Sequence, residues 1–224
     1  MATHLDLEEQ EQLDQLKAFW KRYGNLITWV LIAVLGAYAA WNGWDLWQRN
    51  QAAKAGAMYD ELEQAAQKGD AERTARIFGD LRERYAGTVY AEQGGLLTAK
   101  TQFDGGQPDK ARATLEWVAE KAAQPEYQAI ARLRLAGILL DEKKYDDALR
   151  QIDAVGAKEF VALAADRRGD VLLAQGKKDE AKAAYQSAWK AMDPNVEYRR
   201  LIDAKLTALG AAPELTRALG ETAK

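Results

Sequence analysis

The stretch AIARLRLAGILLDEKKYDDALRQIDAV, residues 129–155, is followed closely by ALAADRRGDVLLAQGKKDEAKAAYQSA, residues 162–188. The second reads as a copy of the first. Each has an apolar helical segment, a charged breaker, and a second helical segment that starts on a small residue. Leu135-Ala136 falls opposite Arg168-Gly169, and Leu139 opposite Leu172. A pattern that restarts at a fixed interval is a structural repeat, and it decides the fold before any single element does.

Working outward, the same breaker recurs upstream as QKGD at 67–70 and DGGQPD at 104–109, beside DEKKYDD at 141–147 and AQGKKDE at 174–180. Aligned, they set Gly69, Gly106, Lys143 and Gly176 in register, separated by 37, 37 and 33 residues. Two helices and a tight turn with a period near 34 residues are the tetratricopeptide pattern. Behind each turn comes a small residue: Thr74, Ala111, Ala148 and Ala181. Phe78, Leu115, Ile152 and Tyr185 follow four positions later, then Leu81, Val118, Val155 and Ala188 after three more. Steps of four and three keep all of them on one helical face. Pro108 and Pro125 suit first helical positions, and Asp193-Pro194 ends the last repeat. The first two repeats, about 55–86 and 92–124, are looser and lack an aromatic before the turn. Residues 196–210 place Leu201, Ile202, Lys205, Leu206 and Leu209 at helical spacing, as expected of a helix covering the open end of a stack. The alternative, a generic helical bundle, does not account for four aligned turns.

Upstream of the repeats the text changes. From Tyr23 to Trp44, YGNLITWVLIAVLGAYAAWNGW carries no charge, in a chain of mean hydropathy −0.44. Twenty-two residues separate Arg22 from Asp45. As a helix they reach about 33 Å, enough for a hydrocarbon core of about 30 Å. Phe19, Trp20 and Tyr23 before the run, and Trp41, Trp44 and Trp47 after it, suit the headgroup region. A buried core helix would be shorter and would keep a polar face. A cleaved signal peptide is the other alternative, and Ala37-Tyr38-Ala39 does resemble a cleavage site. The preceding region, however, is long and acidic, and the later tryptophans read as an interface anchor, so a retained span is expected. Lys17, Lys21 and Arg22 before it, against Arg49 and Lys54 after it, mildly favour a cytoplasmic N-terminus.

The expected fold is therefore all-α: one N-terminal transmembrane helix followed by a tetratricopeptide-repeat-like, right-handed α-solenoid. The expected divisions are a cytoplasmic tail at 1–22, a transmembrane helix at 23–47 and a periplasmic repeat domain at 48–224. In the tail, Leu5, Leu13 and Leu16 stand among acidic residues, which suits either an amphipathic helix or a disordered segment.

The 224 residues hold no cysteine and one histidine, His4, and carry a net charge of −3. Disulfides, thiolate metal sites and a cysteine nucleophile are excluded, and no Ser-His or Cys-His pair can be assembled within the repeats. Neither a cofactor nor a metal is expected, and no basic face invites nucleic acid. Asp166 and Asp170 read as a solvated face beside Arg167 and Arg168, and Trp117 and Trp189 as core residues. No catalytic residue is expected. Repeats of this kind bind, with the first helix of each pair lining the concave side. The candidate groove residues are Lys100, Phe103, Leu133, Leu140, Asp166 and Asp170.

Taken together, LRLAGILLDEKKYDDAL (133–149), AADRRGDVLLAQGKKDEAKAAY (164–185), and Phe19-Trp20 with Tyr23-Gly24-Asn25 before the span resemble the YfgM family of ancillary SecYEG translocon subunits. The resemblance implies a non-catalytic, single-pass inner-membrane protein. It implies association with the translocon, with a membrane-anchored periplasmic chaperone of the PpiD type, and with exported client proteins. A rival expectation is a repeat scaffold for cell-envelope or division machinery unrelated to secretion.

Overall fold

A computed structural model describes residues 7–212. Nine α-helices and one short 3-10 turn account for the regular structure, with no strand among the described residues. The chain divides into two compact units, residues 1–51 and 52–224.

In the first unit the helix α1 (Leu7–Gln67) begins and carries the apolar run. An 18-residue window there has a mean hydropathy of 1.5, and only 6% of it is buried. Trp29, Leu35 and Trp41 are all exposed. A helix in a protein core would hide such residues, so the core-helix alternative falls away. Its length and composition suit a bilayer crossing. Thr28, within the run, donates its hydroxyl to the Gly24 carbonyl at 2.8 Å, which satisfies it inside the helix. Aromatic pairs mark each end: Phe19 with Tyr23 at 5.1 Å and Trp44 with Trp47 at 5.2 Å between ring centroids.

The second unit is a stack of helix pairs. The last turns of α1 pair with α2 (Ala71–Arg84), and α3 (Val89–Asp104) with α4 (Pro108–Lys121). Next, α5 (Pro125–Asp141) pairs with α6 (Tyr145–Asp153). A 3-10 turn, Lys158–Phe160, leads into α7 (Val161–Ala174), which pairs with α8 (Lys178–Ala191). The helix α9 (Arg199–Ala208) closes the series.

The four aligned breakers share one geometry. Gly69, Gly106, Lys143 and Gly176 all have positive φ, at 68°, 72°, 59° and 79°. In each case the next residue's N–H returns to a carbonyl five positions back: Asp70 to Ala65, Gln107 to Gln102, Lys144 to Leu139 and Lys177 to Leu172, at 2.8–3.0 Å. This is the Schellman closure of a helix C-terminus, which needs a left-handed residue at that place. Glycine meets the need without strain, and Lys143 meets it at a cost. Pro108 and Pro125 sit where the sequence places them, at the starts of α4 and α5.

Beyond the turns the small residues do what their spacing predicts. Thr74, Ala111, Ala148 and Ala181 are fully buried, and Phe78, Leu115, Ile152 and Tyr185 nearly so. Leu81, Val118 and Ala188 join them. Val155 departs from the pattern because α6 ends at Asp153, two residues short of it. At the closest packing, a Cβ added to Gly169 would lie 2.4 Å from the Tyr185 ring, so α7 and α8 meet through the absence of a side chain. The closing helix starts later than its sequence suggests. It buries Ile202 and Leu206 but leaves Leu201 exposed.

Lys143→Gly should relieve the one side chain held in the left-handed region among the described residues. The gain expected is about 0.5–1 kcal/mol, since glycine's larger unfolded-state entropy offsets part of the roughly 1–2 kcal/mol strain. Chemical denaturation of the two proteins measures it, and a loss of stability would contradict the shared turn geometry.

Candidate partner-binding groove

The first helices of the pairs (residues 52–67 of α1, then α3, α5 and α7) leave hollows between their outward faces. Glu63, Gln67, Leu97, Lys100 and Asp104 line one of about 310 Å³. Lys100 and Phe103 on α3, Arg134 and Gly137 on α5, and Arg167 on α7 line a larger one of about 430 Å³. Leu133, Arg134, Leu163, Arg167 and Tyr198 line a third of about 200 Å³. Shared residues join them: Lys100 borders the first two, and Arg134 and Arg167 border the last two. The result is a groove running across the first helices of the stack.

Of the six residues expected there, Lys100 and Phe103 line the central hollow, and Leu133 and Asp166 the third. Lys100 pairs with Asp104 one turn later, and Phe103 is exposed. Leu140 instead packs, half-buried, against the core shared by α3 to α7. Asp170 is engaged inside the stack.

Asp166 and Asp170 differ from the solvated face that their arginine neighbours suggest. Asp166 is only 2% exposed. Its carboxylate accepts the Tyr198 hydroxyl at 2.8 Å and the Lys205 ammonium at 2.9 Å. Lys205 also donates to Asp170 at 2.6 Å, and Asp170 accepts the Tyr185 hydroxyl at 2.8 Å. Two carboxylates on α7 thus hold one cation from α9 and two phenols. Arg167 keeps a 3.5 Å contact with Asp170, while Arg168 turns to Asp153 on α6. The Arg199 guanidinium lies 3.9 Å from the Trp189 ring centroid, a second tie between α9 and the stack. Trp117 packs edge-on against Phe78, with centroids 5.3 Å apart.

This clamp sets the titration of its phenols. Burial, and then the hydrogen bond to Asp170, pushes Tyr185 far above the usual phenol range. Burial, followed by the bond to Asp166, pushes Tyr198 up to about 12. Ionising either ring would place a phenolate against a carboxylate.

Several groove residues stand outside the sequence-based set, among them Arg134, Gly137 and Arg167 in the central hollow. Gly137 is the one that sequence could have flagged. A glycine inside a helix costs about 1 kcal/mol against alanine, and it usually has a reason in packing. Here a Cβ would meet only the Arg167 Cζ, at 4.0 Å, so no close packing explains it. The arginines carry no such mark.

Among the described residues no group of three carboxylate, histidine or cysteine side chains could hold a metal ion. What the groove offers is apolar surface from Phe103, Leu133 and Leu163 beside the cations Lys100, Arg134 and Arg167.

Fold and groove together define a class: a tetratricopeptide-like repeat protein carrying one helix fit to cross a membrane. The tetratricopeptide repeat-like domain family matches residues 17–211. The ancillary SecYEG translocon subunit of Neisseria gonorrhoeae is 32% identical over 213 residues, covering 93% of this chain and all of that protein. Its counterpart in Haemophilus influenzae is 28% identical over 186 residues, covering 81% of this chain and 89% of the relative. That of Escherichia coli is 26% identical over 185 residues, covering 82% and 88%. The chain belongs to this family of tetratricopeptide repeat-like proteins, the YfgM family of ancillary SecYEG translocon subunits. Membership and the apolar helix together fit a membrane protein.

The Tyr198 bond should appear in alkaline stability. Its pKa is raised in the fold, so its contribution is full below about pH 10 and is lost as pH rises through about 12. Tyr198→Phe should flatten that part of the decline in denaturant stability between those values. An equally steep decline in the variant would contradict the assignment.

Proposed function

We propose that this chain is a non-catalytic scaffold of the bacterial inner membrane that associates with the SecYEG translocon. The observation carrying this reading is the relatedness to ancillary SecYEG translocon subunits along nearly the whole chain. In this reading residues 1–22 form a cytoplasmic tail, 23–47 cross the membrane, and 48–224 form a periplasmic repeat domain. The excess of Lys17, Lys21 and Arg22 over Arg49 and Lys54 supports that orientation.

The groove then binds a membrane-anchored chaperone of the PpiD type, exported client proteins, or both. An exposed groove with no catalytic constellation supports a binding role. The anchor gives weak binding its use. Confining the repeats to the membrane beside the translocon raises their effective concentration for any polypeptide emerging there, with no added contact.

The full chain should co-purify with SecYEG from membranes opened in mild detergent. A chain lacking 23–47, directed to the periplasm by a cleavable signal, should lose most of that recovery. Equal recovery without the span would overturn the tethering account. Co-purification of division or cell-wall enzymes in place of SecYEG would overturn the secretory one.

A further inference from the structure

The central hollow holds more cation than its own acids neutralise. Lys100 is paired with Asp104. Arg134, exposed on α5, donates one hydrogen bond at 3.0 Å to the Leu96 carbonyl, and among the described residues it has no carboxylate partner. The groove walls withdraw water from it and lower its pKa from the ordinary arginine value by desolvation. Such a charge has no carboxylate of its own to offset it. Arg167 has only the long 3.5 Å contact with Asp170, whose other oxygen is already held by Lys205 and Tyr185. Asp141, one helical turn beyond Gly137, is the sole acidic residue lining this hollow.

The floor of the hollow is a glycine. Gly137 lies one turn after Arg134 on α5, and a Cβ there would come into ordinary van der Waals contact with the Arg167 Cζ, at 4.0 Å, so the glycine leaves the space of one methyl group beside that guanidinium. Arg134, Gly137 and Arg167 all line this one hollow. The walls on either side are apolar, with exposed Phe103 toward α3 and Leu133 and Leu163 toward α7.

We infer that the groove takes an extended, acidic stretch of polypeptide, one of whose carboxylates docks over Gly137 between Arg134 and Arg167, with apolar side chains on the flanking walls. The inference rests on the proposed reading of the groove as the partner-binding surface and adds the chemistry of the partner. Guanidinium groups suit this ligand because their planar donor pairs match a carboxylate.

The test uses the full-length chain in lipid nanodiscs and two fluorescein-labelled peptides of equal length. Both alternate leucine with a polar residue, glutamate in one and glutamine in the other. Fluorescence anisotropy should show the glutamate peptide binding about tenfold tighter, a ratio that shrinks with added salt, as one charge-assisted pair would give. Arg134→Gln should bring the ratio near one, and Arg134→Lys should keep part of the preference. Gly137→Trp, which fills the floor, should weaken both peptides. Equal binding of the two peptides to the unmodified chain would overturn the acidic preference, as would a preference that survives Arg134→Gln. If Gly137→Trp still blocks both peptides in those cases, the groove reading stands and only the charge inference falls. If neither peptide binds, or filling the floor changes nothing, the groove reading and the inference fall together.

Discussion

Everything in the repeat unit hangs on a chain reversal made by one left-handed residue and one long hydrogen bond back into the helix. At Gly69, Gly106, Lys143 and Gly176 this closure ends one helix and starts the next within three or four residues. A connection that short leaves the second helix no choice but to lie antiparallel against the first. The contact then demands small residues, and Thr74, Ala111, Ala148 and Ala181 supply them. Where a bulky ring takes part, as at Tyr185, the opposing helix gives way by having Gly169. Stacking four such pairs brings their first helices side by side, and the groove is the space left over.

The end of the stack is held differently. Apolar contacts of Ile202 and Leu206 seat α9, but its register is set by Lys205 between Asp166 and Asp170. Burying Asp166 is unfavourable unless its charge is matched and its oxygens are satisfied. Lys205 and Tyr198 do both, and breaking such a pair from one side costs about 3–5 kcal/mol. A solenoid needs a closing helix to hide its last apolar face. Here that helix is fixed by charges that only one register can pair.

The sequence made the repeats readable because their physics leaves a mark on residue type. A left-handed position favours glycine, a helix start favours proline, and a close crossing favours alanine. Lys143 could be placed only by register with the three glycines. The apolar span was readable from Tyr23 to Trp44 for a similar reason, since a bilayer excludes charge over a fixed length. The carboxylate clamp was not readable. Asp166 and Lys205 are 39 residues apart, and an aspartate beside two arginines looks like surface until the partner helix arrives. For the same reason two of the six expected groove residues, Leu140 and Asp170, face other neighbours. Lys100, Phe103 and Leu133 were legible as outward-facing positions on first helices. Gly137 was visible in principle, as an unneeded helical glycine within LRLAGILL. Arg134 and Arg167 became meaningful only once α5 and α7 were laid together.

A membrane-tethered groove for other polypeptides is the account's central claim, and site-specific photo-crosslinking in living cells tests it most directly. A benzophenone side chain replacing Phe103 lies in the groove, and one replacing Glu116 stands exposed on α4. The account predicts adducts from position 103 with translocon-associated or exported proteins, and few from position 116. Adducts from position 116 alone, or equal yields from both, would contradict it.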